Sequence, residues 1–388
     1  MVIARSRVLN KNVNWAFQNP GLPNNHCLIV GQSGTGKTND MLNLVQNMSK
    51  INISSIILDY TGGYRIDKLE GAFVRNLQER IEIIDVYKNG LDINPFHIEK
   101  SVFKRDLYKK ALDIADAFSY SLKLSVRQAE ELYKSIVVVF TSYLENSTTN
   151  LSKGDCELFL NNNNDIVIDL EAVCNQLNVV DTDASNRLLS KMKPLRDFNV
   201  FSSRGEWSWD KILNNRDGKV TIFQMDGYPE SIKRLITELI LLDLWQYAKE
   251  YGSKGNPFFL VLDECQYLSY KQSSPASLIL TEGRKYGFAA CFATQNLYGV
   301  FDVGVISKLQ QASLQMIFHP SMDEIHKLAK RIDVNNSIRM EGILKSLRKQ
   351  ECVVISQLEN ADGRISCLKT VTAFVPDLQE FCLLQGDN

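Results

Sequence analysis

The chain has 388 residues, 44% hydrophobic and 23% charged, with a formal net charge of −1 and a sequence pI of about 6.5. That is the balance of an ordinary water-soluble globular protein, and it excludes a nucleic-acid binder that works through overall positive charge, though not one with a local basic lining. The length leaves room for two domains or for one core with a large insertion.

Residues 1–25 are polar and contain Asn19-Pro20-Gly21-Leu22-Pro23, which reads as a turn-rich entry to a first core strand. Cys27–Val30 is a short apolar run, followed by a glycine-rich turn and a helix-compatible stretch over Met41–Met48. Ile53–Tyr60 predicts a second strand, ending in Asp59-Tyr60 ahead of the turn Thr61-Gly62-Gly63-Tyr64. Two strands around one helix make a parallel βαβ unit. Glu82–Val86 predicts a third strand, and Leu91–Phe96 closes the block.

From about Ser101 to Asn199 the pattern turns helical. Lys104–Tyr120, Val126–Leu144 and Asp183–Leu195 carry apolar residues at helical spacing. Loops rich in Ser, Thr and Asn lie around Glu145–Gly154 and Asn161–Asn164. Lys123 and Arg127 are a basic pair of the kind found more often on solvated helix faces than on DNA contacts. The α/β pattern resumes with strands at Lys219–Met225, Phe258–Leu262, Ala289–Ala293 and Ser313–Phe318, and a long apolar helix over Ser231–Tyr251. Cys352–Gln357 and Ile365–Thr372 are the last strand candidates, as an antiparallel edge. The expected fold class is α/β: a phosphate-loop core over 1–98 and 215–388, its sheet mostly parallel, interrupted by an all-helical insertion over 99–214.

Three places carry chemistry. In His26–Asp40, Gly31, Gly36, Lys37 and Thr38 fill the fixed positions of G-x-x-x-x-G-K-[ST]. Gly31, Gln32, Ser33, Gly34, Thr35 and Gly36 can wrap a phosphate chain with backbone N–H groups, Lys37 reaches the β- and γ-phosphates, and the Thr38 hydroxyl suits Mg²⁺. Second, Phe258–Leu262 runs into Asp263-Glu264, paired acids at the carboxyl end of a buried strand. Beside a phosphate loop, Asp263 is placed to hold Mg²⁺ and Glu264 to activate water; alone, the pair would read equally well as a helix cap. Third, Glu282–Gln295 (EGRKYGFAACFATQ) ends a strand in Gln295, an amide suited to sensing the γ-phosphate and otherwise an ordinary polar residue at a strand end. Arg284, ahead of that strand, suits stabilisation of phosphoryl charge; supplied by a neighbouring subunit it would be an arginine finger, and otherwise it is a basic residue at a helix end. The eight scattered cysteines form no C-x-x-C pair, and His319 and His326 match no metal spacing.

The succession GQSGTGKT, IILDYTGGY, LDINPF, LVLDECQYL and EGRKYGFAACFATQ resembles the HerA/FtsK superfamily of ring-forming ATPases, HerA-type proteins most of all. The resemblance covers about residues 24–98 and 215–375. It implies a RecA-like core, hexameric assembly, Mg-ATP hydrolysis between subunits and translocation of duplex DNA. By motif it makes Lys37 and Thr38 the phosphate and metal residues, Asp263 and Glu264 the metal and water residues, Gln295 the sensor and Arg284 the trans-acting finger. Two departures are visible: HerA-like proteins usually carry a glutamate where this chain has Gly63, and their N-terminal β-barrel is not evident before Cys27. Compact relatives of this kind resemble motors of bacterial defence and restriction systems working with a nuclease or other effector.

With no apolar run of transmembrane length and no leader pattern, a cytoplasmic protein is expected. A conjugation or type IV secretion motor, and an ATP-loaded scaffold that regulates an effector without moving DNA, share the same site residues and stand as alternatives.

Overall fold

A computed structural model describes residues 1–69, 71–98, 101–147, 157–159, 168–201, 208–213, 217–359 and 365–378. Much of the Ser/Thr/Asn-rich stretch after residue 147, Asn161–Asn164, Cys156 and Cys382 lie outside the described residues. The strands are β1 Val2–Ser6, β2 Asn12–Asn14, β3 Cys27–Val30, β4 Ser55–Asp59, β5 Ile81–Asp85, β6 Ser101–Phe103, β7 Glu157–Phe159, β8 Val220–Gln224, β9 Phe258–Leu262, β10 Phe288–Thr294, β11 Leu314–Phe318, β12 Glu351–Glu359 and β13 Ile365–Phe374. The helices are α1 Lys37–Lys50, α2 Gly71–Leu77, α3 Val86–Asn89, α4 Lys104–Ser121, α5 Val126–Ser147, α6 Leu170–Val180, α7 Asp183–Asp197, α8 Trp209–Leu213, α9 Glu230–Tyr251, α10 Pro275–Glu282, α11 Val303–Leu309, α12 Met322–Ile332 and α13 Ser337–Ser346.

Eleven strands form one sheet in the order β2-β1-β13-β12-β11-β3-β10-β9-β4-β8-β5. From β11 to β5 every pairing is parallel, and β12, β13, β1 and β2 continue it antiparallel. The parallel strands have apolar runs because both faces are covered. Along β3, Cys27 and Ile29 pack with Met41, Leu44, Val45 and Met48 of α1, while Leu28 and Val30 face the opposite layer that includes α9 and α10. β9 and β10 are buried at every position. This is a RecA-like arrangement, with β10 inserted between the phosphate-loop strand β3 and the acid-bearing strand β9.

Among the described residues, the segment between α3 and β8 holds helices α4 to α8 and, against the all-helical expectation for 99–214, one short antiparallel pairing of β6 with β7. Its buried residues, including Ile114, Phe118, Ile136, Leu177 and Leu188, join the core on the α9 side of the sheet. Two further features differ from the sequence reading. Residues 1–25 are more than an entry loop, since β1 pairs with β13 and carries β2 on its outer side. The hairpin β12–β13 is antiparallel as expected, but it lies inside the sheet. No described helix is long and apolar enough to cross a membrane.

Candidate functional site

All the parallel strands end at one edge of the sheet, and the site is built there. β3 runs into Gly31, whose N–H donates to the Thr294 carbonyl at the end of β10 (3.2 Å), while the Gln32 N–H donates to the His319 carbonyl beyond β11 (3.0 Å). The phosphate loop is thus bedded between its two neighbouring strands. A β-carbon on Gly31 would come within 2.6 Å of Phe318 Cβ, so no larger residue fits. Gly36, with φ of 117°, turns the chain into α1. Lys37 Nζ donates to the carbonyls of Gly31 (2.7 Å) and Gln32 (3.0 Å), holding the ammonium inside the loop it belongs to. Burial pushes the Lys37 ammonium down from its ordinary value, and the charges of Asp263 and Glu264 work against that fall. Thr38 is exposed on the first turn of α1.

The acids leave β9 one strand beyond β10. Register pairs Phe292 with Leu262, so Asp263, Glu264, Thr294 and Gln295 emerge side by side. Burial, and after it the neighbouring Glu264 charge, raise the Asp263 carboxyl to about 6, with Lys37 pulling the other way. Asp263 Oδ1 accepts from the Glu264 N–H (3.0 Å), and Oδ2 accepts from the Tyr64 hydroxyl (3.3 Å). Glu264 takes a left-handed backbone (φ 55°), which aims its side chain back over the sheet edge. Its Oε1 accepts from the Gln295 amide (2.8 Å) and its Oε2 from the Gln266 amide. Thr294 Oγ1 donates to Gln266 Oε1 (2.9 Å), completing the network.

The structure therefore gathers Lys37, Asp263, Glu264 and Gln295 at one edge, as their motifs imply. Arg284 lies elsewhere. It sits ahead of β10, at the amino end of the strand whose carboxyl end carries Gln295, and its guanidinium donates to the Pro23 carbonyl. At about 3.3 Å per residue the intervening strand puts it on the order of 20 Å from the phosphate loop of its own chain.

Three participants escaped the sequence reading. Asp59, ending β4, accepts from the N–H groups of Gly63 (2.9 Å) and Tyr64 (3.0 Å), and this folded turn delivers the Tyr64 hydroxyl to Asp263. Gln266 is the second amide on Glu264. The third is Gln350, whose N–H donates to the Thr35 carbonyl (2.8 Å). An acid ahead of paired glycines was a visible turn signal at Asp59; nothing local marked the other two.

The donor set fits Mg²⁺ with a nucleoside triphosphate: a buried ammonium in a backbone loop, an exposed hydroxyl at Thr38, and the half-buried Asp263 carboxyl. Among the described residues no cluster of three or more His, Cys, Asp or Glu could hold a metal by itself. Cys27, Cys174, Cys265, Cys291 and Cys352 are free thiols, all buried.

The family model described as "Helicase HerA, central domain" matches residues 7–244, well over half of the chain. The chain belongs to the HerA family. One curated relative, the DNA double-strand break repair helicase HerA of Sulfurisphaera tokodaii, is 22% identical over 345 residues. The match covers 86% of this chain and 62% of that protein, so the chain spans less than two thirds of the relative's length. Among solved structures, VirB4 of Thermoanaerobacter pseudethanolicus superimposes with a TM-score of 0.69 at 14% identity, covering 97% of this chain and 96% of that one. The plasmid coupling protein TrwB, solved with ADP and Mg²⁺, gives 0.53 at 14% identity over 91% and 86% of the two chains. These structures share the RecA-like fold of this HerA-family chain.

Proposed function

We propose that this HerA-family chain is an Mg-ATP hydrolase that works as a homo-oligomeric ring and moves duplex DNA. The observation that carries the reading is the Glu264 carboxylate fixed between the Gln295 and Gln266 amides, beside Asp263 and within the field of Lys37. Such an arrangement joins a γ-phosphate sensor to a general base. Lys37 and the loop N–H groups hold the phosphates; Glu264 orients and takes the proton of the attacking water; Gln295 reports the γ-phosphate to Glu264. Mg²⁺ held by Thr38 and Asp263 would neutralise phosphate charge.

Arg284 cannot complete its own site, and its place at the far edge of the sheet supports a role on the nucleotide of an adjoining subunit. The HerA relative, a helicase by name, supports DNA as the polymer. The test measures assembly size and ATP hydrolysis with and without linear duplex DNA. An oligomer with hydrolysis stimulated severalfold by DNA is expected. A monomer, or an oligomer whose turnover ignores DNA, refutes the motor reading; the second result favours the scaffold.

A further inference from the structure

The groups for the γ-phosphate all lie on one flank of the phosphate loop, on β10 and β9. A triphosphate lying across the amino end of α1 with its γ end on that flank must direct its α-phosphate, sugar and base to the other, toward β11 and β12. That flank is walled by the turn Leu347–Gln350, which connects α13 to β12. The Gln350 N–H donates to Thr35 O (2.8 Å), and a β-carbon placed on Gly36 would come within 3.1 Å of Gln350 Cα. The turn therefore touches two consecutive residues of the loop.

It is also anchored from behind. The Val375 N–H donates to Gln350 O (2.8 Å), and the next residue's carbonyl, Pro376 O, accepts from Asn39 (3.0 Å) and Asn43 (3.1 Å) of α1. Arg348 and Lys349, at the crest of the turn, are exposed. Among the described residues neither side chain has an ion pair. The nearest acid in sequence, Glu351, is engaged by Arg7 (3.2 Å) and by the Arg348 N–H (2.9 Å).

We propose that this turn is the nucleoside-side wall of the nucleotide site in the same subunit, with Arg348 and Lys349 contacting the α-phosphate and the sugar. The proposal rests on the ATPase reading above. Contacts at that end do not change as the γ-phosphate leaves, so they strengthen ground state and transition state alike. They hold ADP as firmly as ATP.

The test compares wild type with the double variant Arg348→Gln/Lys349→Gln. Both positions are exposed, so folding is spared. Calorimetric titration with unlabelled ADP and Mg²⁺ is expected to show affinity reduced about tenfold or more, with the ATP KM raised to match and kcat within about twofold. The control Lys134→Gln/Arg187→Gln, an equal loss of charge on the distant helices, should leave ADP affinity as in wild type. An unchanged ADP affinity in the Arg348/Lys349 variant overturns the proposal. So does a fall in kcat at constant KM, which would put these cations on the γ-phosphate. Wild type that binds no ADP overturns the nucleotide reading itself, a different result from either.

Discussion

Glu238 lies on α9 with its side chain in the core, where its Oε1 accepts from the Ser269 N–H (2.6 Å) just after the turn that carries Glu264 and Gln266. Burial raises its carboxyl from the ordinary value of 4.5 to about 7, the Ser269 bond opposing the rise. Since the folded-state value exceeds the unfolded one, the fold favours the protonated acid, and stability falls as pH rises from about 4.5 to about 7. Linkage with those two values gives a cost of about 1 kcal/mol at pH 5 and about 3 kcal/mol at pH 8. Glu238→Gln keeps an acceptor for Ser269 and removes the titration. Its new amide hydrogens carry a penalty of their own if unpaired, about 1–3 kcal/mol, but that penalty is the same at both pH values. The quantity to measure is therefore a double difference: the stability of the variant minus that of wild type by urea unfolding without nucleotide, at pH 8 and again at pH 5. The variant should gain about 2 kcal/mol relative to wild type between the two. A difference that does not change with pH refutes the reasoning.

Glu264→Gln should keep ATP bound while turnover falls by about 10²–10⁴-fold, the range for removing a general base; retained turnover in a single-turnover assay removes Glu264 from that role. Arg284→Ala and Lys37→Ala should each abolish steady-state hydrolysis, yet mixed rings should recover part of it, because one variant still supplies the intact loop and the other the intact arginine. No recovery across a range of mixing ratios argues against action between subunits. Gly36→Ala puts a side chain at φ of 117°, within 3.1 Å of Gln350 Cα. The backbone strain alone is about 1–2 kcal/mol. ADP affinity measured by calorimetry should fall about tenfold or more while the far-ultraviolet dichroism is unchanged. Wild-type affinity would mean that the turn at Gln350 yields freely.

The parallel centre of the fold was legible because strands buried on both faces read as unbroken apolar runs, and because phosphate-loop chemistry needs its residues at rigid spacing. Lys37, Asp263, Glu264 and Gln295 each follow a strand end, so the order of strand ends along the chain was enough to group them. β1 was not legible: Val2-Ile3-Ala4 is a short apolar piece, and only pairing with β13, more than 350 positions later, makes it a strand. α6, Leu170–Val180, begins close after the asparagine tract and was not separated from its surroundings. Tyr64 and Gln266 could not be assigned from sequence because their roles depend on where two turns meet above the sheet. Gln350 shows no motif, and its place against Thr35 comes wholly from the way β12 returns beside β11.

Arg284 precedes β10 and Gln295 follows it, and all seven residues of the strand are buried. Hydrogen-bonded to β3 on one side and β9 on the other, such a rod cannot stretch or buckle alone. Under the roles proposed for Gln295 and Arg284, a shift at one end of the strand would be carried toward the other. In a closed assembly each protomer would feel its neighbour's nucleotide as a push along this one strand, and sequential firing around the circle would need no separate relay.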